Sequence, residues 1–290
     1  MIGVGRVGGA LALALPRDRF SVERMIYRGN RDLAEAIGEA LPSARSCLLD
    51  ELTELSSDIV FITTQDACIA PVAKELVSKL KGKPCVFHTS GALSSRILDP
   101  LKAVGCKTAS MHPLVSVSSA EVGPERFQGA YFCVEGDADA VDMATQIATS
   151  LGGIPFSIDT RFKTLYHAAA VTACGHLVAL FDAAVEMMSK TGLSEDESKE
   201  ILLPLVKSTV QNLEEQGTAA ALTGTFARAD IETFVEHVKT LNTHVSDDLL
   251  EIYLLLGERS LELAAKRGVS PERIDTLRTK VSIAKSKLKW

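Results

Sequence analysis

The sequence has 290 residues, about twice the length of a typical domain, so it predicts one large domain or two of medium size. Apolar residues make up 46% of it and charged residues 23%, proportions that argue against a disordered chain. The 31 basic and 37 acidic residues give a net charge of −6, and no basic block is long enough to follow a phosphate backbone, which disfavours nucleic acid as a partner.

The sequence shows no segment typical of membranes, secretion or metal binding. Its most apolar stretch, residues 166–181, is interrupted by His167 and His176 and is shorter than the roughly 20 residues of a membrane span. The first residues lack the basic start and cleavage pattern of a secretory signal. We therefore expect a cytoplasmic protein that does not contact a membrane. Its 6 cysteines form no CxxC pair, so we expect reduced thiols and no metal site.

Residues 1–159 alternate short β-branched segments with amphipathic helical segments, a pattern typical of a parallel sheet with crossover helices. A helix is predicted over residues 67–80, with Asp66 as its N-cap. This pattern predicts an open, doubly wound α/β domain. Its predicted strands are residues 2–4, 22–27, 59–63, 85–88, 108–111, 130–134 and 154–158.

Residues 160–290 lack strand signals and consist of successive amphipathic helical patterns, so they predict a separate, all-helical domain. The first helix is predicted to be continuous over residues 161–190, a length of roughly 45 Å. Because this helix is apolar on many sides, we expect it to be buried in the domain or in a subunit interface. We therefore expect a homodimer formed through the helical domain.

A glycine-rich turn follows the first predicted strand. Gly3-Val4-Gly5-Arg6-Val7-Gly8 fits GxGxxG, the fingerprint of dinucleotide-binding (Rossmann) domains. Gly3 would form the turn, Gly5 would let the backbone approach a pyrophosphate, and Gly8 would let the helix pack on the strand. The free N–H groups where the helix begins, at Arg6 and Val7, favour an anion. The first strand has almost no residues before Gly3, so either the chain start is truncated or the strand is very short.

The second predicted strand indicates which dinucleotide is bound. An NAD site carries Asp or Glu at the end of this strand, but the region reads Tyr27-Arg28-Gly29-Asn30-Arg31. Arg28 and Arg31 would attract a 2′-phosphate through charge-assisted hydrogen bonds, so NADP is the predicted cofactor. The alternative is that both are ordinary surface arginines.

Small polar or imidazole side chains follow three further strands, at the edge of the sheet where ligands bind in open α/β folds. We interpret them as a lined crevice; the alternative is three unrelated polar loops. The predicted cofactor contacts among them are Thr64, Gln65, Asp66, Thr89, Ser90 and Gly91. His88 is predicted to contact the substrate, and His112 is predicted to be catalytic.

Several segments together resemble a bacterial family of NADP-dependent oxidoreductases, in which a Rossmann-like domain precedes domain of unknown function 2520. They are residues 3–8, 88–93 (HTSGAL), 110–114 (SMHPL), 127–136, 163–171 (KTLYHAAAV) and 221–224 (ALTG). That family is similar to ketopantoate reductase, pyrroline-carboxylate reductase and the 6-phosphogluconate dehydrogenase group. The resemblance implies NADP(H)-linked reduction of a small carbonyl or imine and a helical domain that often dimerises. It implies no particular substrate.

In such relatives a lysine on the first helix of the second domain commonly faces the nicotinamide, with a polar partner one turn later. Lys163 and His167 stand at i and i+4, with Tyr166 beside them. The resemblance implies Lys163 as proton donor or electrostatic stabiliser, and His167 as the residue that orients it or exchanges roles with it. Substrate would then lie between His112 and Lys163, in contact with Tyr166. The alternative is a solvated lysine beside a histidine that packs the helix.

The sequence also departs from that family. Members often carry Ser-Asn where this chain has Cys174-Gly175, and a TGPxxRGD-like segment where residues 223–230 read TGTFARAD. Arg228 and Asp230 persist and are candidate ligands for an anionic substrate. A non-catalytic dinucleotide-binding or sensor protein remains an alternative function. A methyltransferase is disfavoured because the acidic ribose ligand is missing.

Overall fold

The computed structural model describes residues 1–29, 31–41 and 43–288, so Asn30 of the predicted cofactor region lies outside the described residues. The chain divides into two compact units, Met1–Gly175 and His176–Trp290. The predicted domain boundary, residue 159, precedes this division. The difference has a structural reason: Lys163 anchors the helix that follows the boundary to the sheet of the first unit.

The first unit is built on one mixed sheet. The strands of this unit are β1 (Arg24–Tyr27), β2 (Arg45–Leu48), β3 (Leu55–Ser56), β4 (Ile59–Ile62), β5 (Leu80–Lys81), β6 (Cys85–His88), β7 (Lys107–Leu114), β8 (Tyr131–Gly136) and β9 (Ile154–Phe156). The order in the sheet is β2-β1-Ile2-β4-β6-β7-β8-β9, where Ile2 pairs with Ile26 on one side and Ile62 on the other. A short parallel pair, β3 and β5, lies apart from it.

The central strand is much shorter than predicted. Of residues 2–4 only Ile2 makes bridge pairs: its N–H donates to the Phe61 carbonyl and its carbonyl accepts from Thr63 N, both at 2.8 Å. Gly3 N donates to the Ile26 carbonyl at 2.8 Å. The buried Ile2 therefore joins the two halves of the sheet and fixes the turn after it, and the strand order agrees with that of dinucleotide-binding folds.

Helices and two 3₁₀ turns connect the strands. The helices are α1 (Arg6–Ala14), α2 (Arg31–Glu39), α3 (Asp66–Leu76), α4 (Asp99–Ala103), α5 (Gly123–Arg126), α6 (Ala138–Ser150) and α7 (Lys163–Ala173), and the turns are Ser95–Leu98 and Thr160–Phe162. The prediction of Asp66 as an N-cap is wrong: Gln65 occupies the N-cap position, and Asp66 is the first helical residue. An acidic side chain there is still favoured by the helix dipole.

The sheet is not entirely parallel. β7 and β8 are antiparallel, whereas the other strand pairs among the described residues are parallel. In an antiparallel pair, directly opposite residues face the same side of the sheet. Because β7 and β8 pair over six residues, from Ala109–Gly136 to Leu114–Tyr131, they present a continuous face to α6, which packs on both strands.

The second unit is all-helical over its described residues, as predicted. Its core contains Phe234, Leu254 and Leu277. Its helices are α8 (Gly175–Ser189), which starts at the last residue of the first unit, α9 (Glu195–Ala221), α10 (Gly224–Ala227), α11 (Ile231–His244), α12 (Asp247–Lys266) and α13 (Pro271–Lys285).

The prediction of one continuous helix over residues 161–190 is wrong. Cys174, with φ −114° and ψ −68°, is a distorted turn residue that separates α7 from α8. Gly175, which follows, has a low helix propensity and weakens the helix at this point. By length and composition alone, Thr160–Ser189 could cross a membrane, and 11% of its most apolar window is buried.

Candidate active site

The glycine-rich turn is packed tightly on one side and open on the other. Gly3 has φ +94°, a conformation that side chains disfavour, and a Cβ there would lie 2.7 Å from Thr64 N. A Cβ on Gly8 would lie 2.2 Å from Thr63 Oγ1, whereas a Cβ on Gly5 would meet nothing within 4 Å. Gly3 and Gly8 therefore permit close packing, and Gly5 leaves room for a ligand.

A cavity opens beside this turn. Among its lining residues are five of the predicted cofactor contacts: Gly3, Gly5, Arg28, Thr64 and Gln65. The hydroxyl of Thr64 is buried and has no hydrogen-bond partner among the described residues. A buried unpaired hydroxyl costs free energy unless a ligand or water satisfies it. The open Gly5 and the unpaired Thr64 hydroxyl both fit a bound dinucleotide.

The other predicted cofactor residues occupy different positions. Arg6 is exposed at the start of α1, where N–H groups are free, and Val7 packs against the apolar core. Arg31 is not among the residues that line the cavity; its Nε lies 2.7 Å from Glu35 Oε1 on the same helix. Arg28 does line it, and its Nη2 lies 2.7 Å from Glu75 Oε2.

The turn after β6 is held by its own polar groups. Ser90 N donates to Nδ1 of His88 at 3.2 Å, and Ser90 Oγ accepts from Ala92 N at 3.2 Å and from Leu93 N at 3.0 Å. Thr89 is half-buried at the same turn. Burial, aided by the charge of Lys163, lowers the pKa of His88 to about 4, so this histidine is neutral at pH 7.

Polar side chains of three strands lie on one face of the sheet. The register aligns His88 with Ser110 and Ser110 with Glu135, and it pairs His112 with Cys133. Because side chains alternate along a strand, all five of these point to the same side. The intervening Met111 and Val134 point to the other side, where they join the apolar core.

Lys163, the first residue of α7, lies over this polar face. It is 2% exposed, and its Nζ donates to Ser110 Oγ at 2.8 Å and approaches Cys133 Sγ at 3.9 Å. Desolvation lowers the pKa of Lys163, while Cys133 and Glu135 act in the opposite direction. The lysine is therefore neither solvated nor remote from the predicted site, and it fastens α7 to the sheet.

His112 contacts two side chains of α7, Tyr166 and His167. Its Nδ1 lies 2.7 Å from the Tyr166 hydroxyl, and its ring packs edge-on against His167 with centroids 5.8 Å apart. A Cβ on Gly91 would lie 2.8 Å from His112 Nε2 and 2.3 Å from His167 Nδ1. The two imidazole nitrogens thus converge on the bare backbone of Gly91. Desolvation and Lys163 lower the pKa of His112 to about 3.

Three residues of the polar face, Ser110, Cys133 and Glu135, were missing from the predicted site. Glu135 is 4% exposed and accepts hydrogen bonds from Ser95 N at 2.8 Å, Ser95 Oγ at 2.8 Å and Thr160 Oγ1 at 3.1 Å. Cys133 lies beside Lys163. The predicted strand ended at residue 134, one residue before Glu135. The signal that could have found Cys133 and Glu135 is their i, i+2 spacing in an otherwise apolar strand.

The two candidate substrate residues near residue 230 belong to the second unit. Asp230 is the N-cap of α11 and accepts hydrogen bonds from Thr233 N at 3.1 Å and Thr233 Oγ1 at 2.9 Å. These hydrogen bonds lower the pKa of Asp230. Arg228 is exposed in the preceding turn. The structure therefore gives Asp230 a local role in starting a helix.

Comparison with known families agrees with this architecture. Residues 1–113 match the Rossmann-like domain family, and residues 130–260 match domain of unknown function DUF2520. The chain is a Rossmann-like protein with a DUF2520 domain. The DUF2520 match contains β8, with Cys133 and Glu135, and α7, with Lys163, Tyr166 and His167. The polar face is thus assembled from both matched regions.

Solved structures similar to this Rossmann-like and DUF2520 protein share its fold. Protein TM1727 from Thermotoga maritima is 25% identical over 92% of this chain and 98% of its own, with a TM-score of 0.72. A Bacteroides fragilis protein provisionally named NADP oxidoreductase is 20% identical over 90% and 96%, with a TM-score of 0.69. Plasmodium falciparum pyrroline carboxylate reductase, solved with NADP bound, is 16% identical over 91% and 96%, with a TM-score of 0.52.

A search of curated protein sequences finds no match to the chain. Together, the matched families and the similar structures establish a Rossmann-like domain with a mostly parallel sheet, followed by a helical region.

Proposed function

We propose that this protein is an NADP(H)-dependent oxidoreductase that reduces a small carbonyl or imine. One observation carries the proposal: an open glycine turn and a buried polar face occur at the carboxyl-end side of the same sheet. Similar structures named as NADP oxidoreductase and pyrroline carboxylate reductase support it, as does Arg28 at the cavity.

Residues of the glycine turn would hold the cofactor. The open backbone at Gly5 suits the pyrophosphate, and Arg28 suits a 2′-phosphate. Thr64 and Gln65 line the same cavity. When bound, a nicotinamide dinucleotide supplies or accepts a hydride.

His112 is proposed to act as a neutral hydrogen-bond donor to the oxygen or nitrogen that becomes electron-rich. Desolvation raises the pKa of Tyr166, so its hydroxyl keeps its proton and can donate to His112 Nδ1. In that tautomer the ring proton is on Nε2, which faces Gly91. Its low pKa keeps His112 uncharged over the physiological range.

Lys163 is proposed to stabilise developing negative charge and to be the source of the proton. Its ammonium is fixed by Ser110 in a water-poor setting, where electrostatic effects are strong. The lowered pKa makes it a better proton donor than a solvated lysine. The ring contact of His167 is with His112, so His167 is proposed to orient that ring.

Oxidation of NADPH tests this function against a panel of 2-keto acids, aldehydes and cyclic imines. We expect turnover with at least one class, and a drop of about 10²–10⁴-fold in Tyr166→Phe and Lys163→Ala. Tyr253→Phe is a matched control, because Tyr253 makes a similar hydrogen bond to His237, 2.8 Å, in the second unit. NADPH binding without turnover on any substrate would instead favour a non-catalytic sensor.

We also propose that the protein is a cytoplasmic homodimer formed through its helical unit. The helices α8 and α9 expose large apolar side chains, which soluble monomers seldom do over a contiguous surface. They include Leu177, Val178, Ile201, Leu205, Val210 and Leu213. Membrane attachment is the competing explanation for the apolar run Thr160–Ser189, but the buried Lys163 and the break at Cys174 favour a protein interface.

A further inference from the structure

The arginine at the cofactor cavity is already paired with a carboxylate. Arg28 Nη2 lies 2.7 Å from Glu75 Oε2, and Glu75 projects from α3, the helix that begins beside Thr64 and Gln65. The Arg28 side chain is 47% exposed and that of Glu75 is 26% exposed, so solvent and ligands can reach the pair. The carboxylate of Glu75 is thus already paired with the guanidinium of Arg28, which lines the cavity.

The second carboxylate oxygen of Glu75 is paired with a lysine. Lys79 Nζ lies 2.6 Å from Glu75 Oε1 and also donates to the Leu49 carbonyl at 2.9 Å. The hydrogen bonds from Lys79 and Arg28 lower the pKa of Glu75, so it is a carboxylate at neutral pH. Leu49 and Arg28 both line the cavity, so the charge network borders the cofactor site.

A carboxylate and a phosphate make the same bidentate hydrogen bonds to a guanidinium. A guanidinium held by Glu75 must give up part of that pairing to bind a phosphate, and the negative charge of Glu75 repels the incoming group. Exposed ion pairs are weak, so the pairing hinders phosphate binding without preventing it.

We propose that Glu75 sets the strength of 2′-phosphate recognition by competing with that phosphate for Arg28. This inference rests on the proposed function, because it assumes that the cavity binds a dinucleotide. Glu75 is therefore a specificity-determining residue: it reduces the preference for NADP over NAD that Arg28 alone would give.

Calorimetry with two fragments isolates the 2′-phosphate. Adenosine 2′,5′-bisphosphate and adenosine 5′-monophosphate differ only in that group, so the ratio of their dissociation constants measures its recognition. We expect Glu75→Gln to tighten binding of the bisphosphate about two- to five-fold, the range of an exposed ion pair, and to leave the monophosphate unchanged.

Glu35→Gln is the matched control, because it frees Arg31 from an ion pair of the same length, 2.7 Å, within α2, and Arg31 does not line the cavity. We expect the fragment ratio to be unchanged in this variant. In Arg28→Met, a further Glu75→Gln substitution is expected to have no effect, because the residue for which the phosphate competes is gone.

Equal ratios in the wild type and Glu75→Gln would overturn the proposal. So would weaker monophosphate binding in Glu75→Gln, because Glu75 would then act as an acceptor for the ribose. If Glu75→Gln tightened bisphosphate binding by the same factor in the Arg28→Met background, the effect would be one of general charge, and this result would also overturn the proposal. If the wild type binds neither fragment nor NADPH, the proposed function itself fails, which is a separate result.

Discussion

Two buried histidines should make the protein sensitive to acid. The pKa values of His88 and His112 are lowered to about 4 and about 3, whereas an unfolded histidine titrates near 6.5. Below pH 6.5 the unfolded chain therefore binds protons that the folded chain does not, so the protein becomes less stable as the pH is lowered. Between pH 7.5 and 5 each histidine should cost about 2 kcal/mol of unfolding free energy.

Urea unfolding at the two pH values measures this effect. We expect His112→Gln to reduce the acid-induced loss by about 2 kcal/mol. His244→Gln serves as the control, since it replaces an exposed histidine at the end of α11. An unchanged loss in His112→Gln would show that the His112 ring becomes protonated in the folded state as readily as in the unfolded one.

Gly91 is predicted to be required because two histidine rings occupy the space of its missing side chain. A Cβ there would lie 2.3 Å from His167 Nδ1. Gly91→Ala should lower the unfolding free energy by about 1–3 kcal/mol, and adding His167→Ala should recover part of the loss, because His112 Nε2 would still lie 2.8 Å from the Cβ. Gly29→Ala, where a Cβ meets nothing within 4 Å, should not destabilise. No recovery in the double variant would contradict the assigned contact.

At the residue scale, the sequence predicted the positions but not the partners. The glycine spacing predicted the turn at Gly3 and the close packing at Gly8 because a backbone turn has a local signature, while the role of Gly5 beside a pyrophosphate stays a prediction. The contacts of Lys163 with Ser110 and Cys133 join residues distant in sequence, and no local pattern encodes them. The roles of all these residues in catalysis stay predictions.

At the scale of elements, α7 is fastened to the sheet by a charge that is costly to bury. Replacing Lys163 by Met keeps the length of the side chain and removes the desolvation cost, so we expect stability at neutral pH to rise by on the order of 1 kcal/mol. Activity should fall in the same variant, which would separate a functional lysine from a structural one.

The pH dependence of this gain checks its origin. The pKa of Lys163 is lowered in the folded protein from 10.5, so between the two values the unfolded chain binds the extra proton and wild-type stability rises with pH. The advantage of Lys163→Met should therefore shrink as the pH approaches 10.5 in thermal unfolding. A constant or growing advantage would show that packing, and not desolvation, is responsible.

Element prediction failed where tertiary contacts override local pattern. β2 was missed because Arg45–Leu48 is short and only partly buried, so it carries little apolar signal. The antiparallel pairing of β7 with β8 was missed because apolar pattern does not encode strand direction. The break at Cys174 was missed because the apolar run continues through it, although the low helix propensity of Gly175 was a local signal.

At the scale of the whole molecule, the sequence predicted a Rossmann-like domain followed by a helical domain, and both are confirmed. Alternating strand and helix patterns, followed by helices alone, are long-range periodic signals and therefore survive errors in single elements. The division at Gly175 differs from residue 159 because Lys163, Tyr166 and His167 tie α7, a helix of the second pattern, to the first unit.

The exposed apolar faces of α8 and α9 predict the state of assembly. Sedimentation velocity at micromolar concentration should show a dimer without detergent. Val178→Glu with Leu205→Glu should give a folded monomer, because two buried charges cannot be accommodated in an apolar interface. Glu186→Gln on α8 is a control of similar position. A monomeric wild type would contradict the proposed dimer. If the protein instead pelleted together with added lipid vesicles, this result would favour membrane attachment.

Calorimetric titration of the purified protein with NADPH and NADH tests the central claim, that the cavity beside Gly5 and Arg28 holds a phosphorylated dinucleotide. We predict tighter binding of NADPH, weakened about ten-fold or more by Arg28→Ala, with NADH binding nearly unchanged. No heat with either dinucleotide, or tighter NADH binding that Arg28→Ala does not alter, would contradict the claim.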